Sequence, residues 1–125
     1  MPRPDVVYHM LPRIDWEALA EGEAYSCASL AAEGFIHCTG EAGLLVLVAN
    51  HHYRQEPGEW VIFSVDTKRL TAPLRWEPVG VYEFPHVYGK IDADAIVAVT
   101  PFPRAASGEF LMPVLEVATE VGRAS

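Results

Sequence analysis

Three imidazoles sit on short β-prone stretches, each two residues from an apolar or aromatic side chain. They are His9 in Val6-Val7-Tyr8-His9-Met10, His37 in Gly34-Phe35-Ile36-His37-Cys38-Thr39, and His86 in Phe84-Pro85-His86-Val87-Tyr88-Gly89. Alternate side chains of a strand share a face. His9 should therefore lie with Val7, His37 with Phe35 and Thr39, and His86 with Phe84 and Tyr88. A lone strand histidine is most often structural; the recurrence is what points to chemistry. Three uses fit these residues. One is acid–base work near neutral pH. Another is hydrogen bonding to a sugar or phosphate beside stacking rings. The third is a three-histidine metal site with an open position, although no HExxH spacing marks one. Cys38 follows His37 directly and should point the opposite way, which disfavours a Cys–His nucleophilic pair. Neither a Gly-rich phosphate loop nor a GxSxG elbow is present. Tyr25-Ser26-Cys27-Ala28-Ser29-Leu30 adds hydroxyls that could reach a ligand or satisfy local backbone.

The elements that would position these groups can be read in order. Val6 to Met10 reads as a strand broken by Pro12. Asp15 can cap a short helix over Trp16 to Glu21, with Trp16, Leu19 and Ala20 on its packed stripe and Gly22 as its stop. Glu23 to Glu33 is ambiguous between a loop and a brief strand. Gly34 to Thr39 reads as a strand, with Gly34 suited to a tight entry or a close ligand. Ala42 to Tyr53 is the clearest helix, with Leu44, Leu47 and Val48 as its stripe, Leu45 widening it, and His51 and His52 as a surface feature at its end. Trp60 to Asp66 is apolar on both faces and should be a central strand. Leu74 to Glu77 is a short strand with Arg75 and Glu77 on one face. Pro85 removes a ladder donor, which places His86 on an edge, at a strand start or in a rigid loop. Ala95 to Thr100 and Glu109 to Val117 complete the strands, the last interrupted by Pro113. Short strands with two helices in the N-terminal half suggest an α+β fold with a mainly antiparallel sheet. Residues 1–113 form one domain, followed over 114–125 by the end of the last strand and a loose tail.

The 125 residues, half of them hydrophobic, suffice for one buried core. A net charge of −8 opposes broad nucleic-acid binding. No apolar run reaches the roughly 20 residues needed to cross a bilayer, and no signal peptide is evident. Cys27 and Cys38 match no zinc or redox spacing, and reduced thiols are the simpler reading. A cytoplasmic protein without membrane contact is expected, with the oligomeric state left open.

Val7-Tyr8-His9, Ser29-Leu30, Glu33-Gly34-Phe35-Ile36-His37-Cys38-Thr39, Trp76-Glu77 and Phe84-Pro85-His86-Val87-Tyr88-Gly89 together resemble a family of small, mostly bacterial proteins known as domain of unknown function 952. The resemblance spans about residues 6 to 113. That family is similar to the ADP-ribosyltransferase fold, which includes RNA 2′-phosphotransferases. The resemblance implies a split β-sheet core with NAD or an ADP-ribose-like group in a cleft. NAD would then be a substrate, with no other cofactor. His9 matches the histidine that contacts a ribose hydroxyl, and Gly34 to His37 match the Gly-aromatic element beside the nicotinamide. Where the fold usually supplies a glutamate, this chain offers His86, with Glu77 and Glu83 nearby. Arg13 and Arg75 are candidate anion contacts. The resulting candidate set is His9, His37 and His86 for chemistry, with Tyr8, Ser29, Gly34, Phe35, Thr39, Arg75, Glu77 and Tyr88 for binding. An ADP-ribosyl-type transferase or hydrolase, a non-catalytic nucleotide-binding module and a three-histidine metal-dependent hydrolase all remain open on the sequence.

Overall fold

The structure is a computed structural model that describes residues 3–115. Its elements run β1 (Val6–Pro12), α1 (Arg13–Glu17), α2 (Ala28–Glu33), β2 (Ile36–His37), α3 (Ala42–His52), β3 (Trp60–Asp66), β4 (Leu74–Val79), β5 (Tyr82–Val87) and β6 (Ile96–Phe102). The strands make two three-stranded antiparallel sheets, ordered β1-β3-β6 and β2-β5-β4. The fold is therefore α+β, with its α-helices in the first half of the chain.

β3 organises the first sheet. Val61, Phe63 and Val65 face a core completed by Val7, Leu11, Ile36, Val87 and Ile91, residues drawn from both sheets. Trp60 and Ile62 face a second core with Leu45, Ala49, Phe102 and Phe110, where α3 packs. A strand buried on both faces needs apolar residues at every position, which is what Trp60 to Val65 supplies apart from Ser64.

One antiparallel rung joins the sheets. The Tyr8 N–H donates to the Thr39 carbonyl and the Thr39 N–H to the Tyr8 carbonyl, both at 2.8 Å. Pro85 explains why β2 is only two residues long. Cys38 lies opposite Pro85 in register, and its N–H reaches the Pro85 carbonyl at 3.1 Å. Proline has no N–H to return. Pairing with β5 ends there, and the chain crosses to β1 at Thr39.

Several expectations need correction. β1 runs through Pro12, and the first helix begins at Arg13 and ends at Glu17, short of Leu19, with no side-chain cap. The ambiguous segment holds α2. In α3 the buried residues are Leu45 and Ala49, while Leu47 is exposed, so the packed stripe is rotated from the expected one. β5 is the central strand of its sheet, not an edge, because the donor missing at Pro85 falls where β2 departs. Over residues 109–115 no last strand forms. Asn50 of α3 takes both backbone groups of Phe110, donating to its carbonyl at 3.0 Å and accepting from its N–H at 2.7 Å. That leaves a single bridge between Arg104 and Phe110. The rest of the expected strand and the tail lie outside the described residues. Both cysteines are free thiols. Among the described residues no helix is long and apolar enough to cross a membrane.

Candidate functional site

The cleft opens where the two sheets part. After the Tyr8–Thr39 rung, the next antiparallel pair would set Met10 against His37. The strands separate instead. The His37 carbonyl accepts a hydrogen bond from His9 Nδ1 at 2.7 Å, so an imidazole fills the place of a backbone donor. Tyr8 turns its N–H and carbonyl away from β3. By strand alternation the backbone of Met10 also faces that edge, and it has no backbone partner there among the described residues. The result is a cleft of 630 Å³ walled by both sheets, α2 and α3.

His9, His37 and His86 all line this cleft, as do Tyr8, Ser29 and Thr39. They are not equivalent. His9 is 8% exposed and both ring nitrogens are engaged, Nε2 with the Tyr25 hydroxyl at 2.9 Å. A carbonyl can only accept, so Nδ1 carries the proton and the Tyr25 hydroxyl donates to Nε2. Burial pushes the His9 pKa down to about 4, against the opposing effect of the His37 carbonyl. His9 is therefore neutral near pH 7 and holds the split open. Burial likewise raises the Tyr25 phenol, which keeps it a donor.

His37 is exposed, and its Nε2 lies 3.3 Å from Glu33. Such a surface contact contributes little. His86 is 4% exposed, and its Nδ1 meets Glu77 Oε1 at 2.7 Å. The Tyr88 hydroxyl donates to the same oxygen at 2.6 Å. Tyr88 and His86 hold the Glu77 carboxyl below the usual carboxylate range. Phe35 stacks on the His86 ring, centroids 4.2 Å apart, and the His37 ring stands edge-on to His86 at 5.2 Å. Cross-strand pairing of His37 with His86, and of His86 with Arg75, brings these side chains to one face of the second sheet.

The other expected site residues lie outside the lining. Phe35, Glu77 and Tyr88 stand behind His86 and support it. Arg75 is exposed and lies over the Tyr88 ring, 5.2 Å from its centroid. Arg13 lies over Trp16 and pairs with Glu17. Among the described residues no lysine or arginine lines the cleft, whereas Asp15 and Glu33 do. Gly34 ends α2 with φ +91° and its N–H on the Leu30 carbonyl at 2.9 Å, a backbone role. The Ser29 hydroxyl donates to the Phe35 carbonyl at 2.9 Å, so its proton is already used.

Sequence reasoning offered the hydroxyls of the Tyr25 to Leu30 stretch without singling out Tyr25, and it missed Tyr53, Trp60 and the Met10 peptide as parts of this wall. Trp60 carried a signal, being the one indole in the strand buried on both faces. Its Nε1–H and the Thr39 hydroxyl are buried without a partner among the described residues, and both residues line the cleft. A buried polar group left unpaired costs about 1–3 kcal/mol. Among the described residues no three His, Cys, Asp or Glu side chains converge as metal ligands. The engaged nitrogens of His9 explain why the three histidines are not a ligand set here.

The sequence of residues 10–99 matches the family model described as a protein of unknown function, DUF952, and the chain belongs to that family. Its structure is similar to the crystal structure of protein CC0527 from Caulobacter crescentus. The TM-score is 0.70 at 25% sequence identity, covering 85% of this chain and 93% of that one. The solution NMR structure of CC0527 gives a TM-score of 0.66 at 25% identity, covering 84% and 90%. No curated protein matches the chain.

Proposed function

We propose that this protein binds a nucleotide-type ligand, NAD or an ADP-ribose-like group, in the split between its sheets. The observation that carries the reading is the cleft where the sheets part: an opening of 630 Å³ walled by Tyr8, Tyr53 and Trp60, with the Met10 backbone edge left without a backbone partner among the described residues. A planar base suits Tyr8, Tyr53 and Trp60, and its ring or amide atoms suit the Met10 backbone edge. Because the described lining holds no lysine or arginine, the base and ribose lie inside and the phosphates lie at the mouth. The pair of split antiparallel sheets, with a histidine on the first strand, supports kinship to the ADP-ribosyltransferase fold. The chain departs from that fold in placing Glu77 behind His86 instead of in the cleft.

Thermal unfolding with NAD, ADP-ribose, AMP and nicotinamide tests the proposal. A ligand at about 100 times its dissociation constant adds about 2.7 kcal/mol, which raises the midpoint by roughly 10 °C in a chain of this size. Thr39→Val should raise the midpoint of the free protein, since it removes a buried hydroxyl that has no partner among the described residues. Unchanged midpoints with all four compounds at millimolar concentration would end the reading.

A further inference from the structure

Resting on that reading, the geometry points to His86 as the proton acceptor of a hydrolytic step in the cleft, acting through Nε2, with Glu77 as its positioning residue. Four observations meet at this ring. Its Nδ1 lies against a carboxylate oxygen at 2.7 Å, so Nδ1 bears the proton and the neutral ring keeps its lone pair on Nε2. Nε2 makes no hydrogen bond among the described residues, although the side chain is almost wholly buried and lines the cleft. The Phe35 stack fixes the plane of the ring. The Tyr88 hydroxyl, bonded to the same Glu77 oxygen at 2.6 Å, keeps that carboxylate from swinging away. A base held in one tautomer and one orientation by a carboxylate is the arrangement that proton abstraction requires. His9 cannot serve, because both of its nitrogens are occupied.

The step uses water as co-reactant. A water O–H gives its proton to His86 Nε2 while the oxygen bonds to the anomeric carbon of the ribosyl group. The bond from that carbon to the base breaks, and its electron pair leaves with the base nitrogen. With a pyridinium base the leaving group departs neutral, and the imidazolium releases its proton to solvent. The products are the ribosyl hydroxyl compound, the free base and one proton.

The test incubates the protein with NAD and measures released nicotinamide by chromatography, beside thermal unfolding with NAD. The native protein should release nicotinamide and ADP-ribose in equal amounts. His86→Ala should lower kcat roughly 10²- to 10⁴-fold, the usual contribution of a positioned base, with KM within about twofold. Glu77→Gln, at a half-exposed position, should lower kcat about tenfold and leave KM and the thermal midpoint nearly unchanged. Should His86→Ala fail to fold, Glu77→Gln and long-range ¹H–¹⁵N spectra of the native imidazoles decide the matter. Those spectra should show the neutral His86 ring protonated at Nδ1, bare at Nε2, and shifted at Nε2 by NAD. Stabilisation by NAD without nicotinamide release overturns this proposal and leaves the binding reading standing. So does a Glu77→Gln protein with full kcat, or a neutral ring carrying its proton on Nε2. Absence of both stabilisation by NAD and nicotinamide release overturns this proposal, and the binding reading falls with it only if ADP-ribose, AMP and nicotinamide also leave the midpoint unchanged.

Discussion

At the scale of single residues, the three histidines divide into three states that the same amino acid cannot announce in a sequence. His9 is sealed and doubly bonded, His37 is exposed, and His86 is buried with one nitrogen unengaged. Their shared strand pattern was legible, and so was their proximity to aromatic rings. The protonation and engagement of His9 depend on the Tyr25 hydroxyl and the His37 carbonyl, which reach it from 16 and 28 residues away. For His9 the consequence is a pH-dependent stability. Its folded pKa of about 4 lies below the ordinary 6.5, so the unfolded chain binds the proton first as pH falls. Stability is thus intact above about pH 6.5, declines between there and about pH 4, and is not further reduced by this group below that. The gap corresponds to about 3 kcal/mol. Urea unfolding at pH 7 and pH 4 should show the native protein losing about 3 kcal/mol more than His9→Gln over that interval. Equal losses in the two proteins would mean that His9 is not held neutral by burial.

At the scale of elements, local signals were read well where the pattern was long. β3 occupies the expected Trp60–Asp66, and α3 departs from expectation by one residue at its end. Short elements were opaque. α2 has six residues, Cys27 at its N-cap makes no side-chain capping bond, and no apolar stripe marks it. A helix that brief has no independent stability and exists because Leu30 packs on the core and Gly34 turns the chain. Pro85 was legible as a break but not as a hand-over, because its effect depends on which neighbour lacks the donor. Gly34 shows how a residue expected at a ligand can serve the backbone instead. Its φ of +91° lies in the left-handed region, and a Cβ there would touch nothing within 4 Å. Gly34→Ala should therefore cost about 1 kcal/mol through backbone conformation alone, and Gly34→Asn less. Denaturant midpoints with an unchanged slope would check this, and NAD affinity should stay the same. Loss of affinity in a protein of near-native stability would return Gly34 to the site.

At the scale of the whole molecule, a cleft between two sheets raises the question of whether they fold as one unit. The backbone link is thin, consisting of the Tyr8–Thr39 rung. The side-chain link is not. Val7, Val61, Phe63 and Val65 of the first sheet close against Ile36 and Val87 of the second without a layer between them. The cleft is an opening beside this shared core, so the sheets should lose structure together. Phe63 lies at the join, fully buried and edge-on to Tyr25 at 5.2 Å, behind the His9–Tyr25 pair. Phe63→Ala should cost roughly 3–5 kcal/mol, and the loss should appear in every probe alike. Trp76 sits in β4 and Trp60 in β3, so fluorescence of variants retaining one or the other reports on each sheet separately. In urea, both signals and far-ultraviolet dichroism should share one midpoint in the native protein, and in Phe63→Ala they should move down together. A Trp76 midpoint that stays put while the Trp60 midpoint falls would show two independent units. The walls of the cleft could then shift against each other, and its alignment of Thr39, Trp60 and His86 would have to be set by the ligand instead of by the fold.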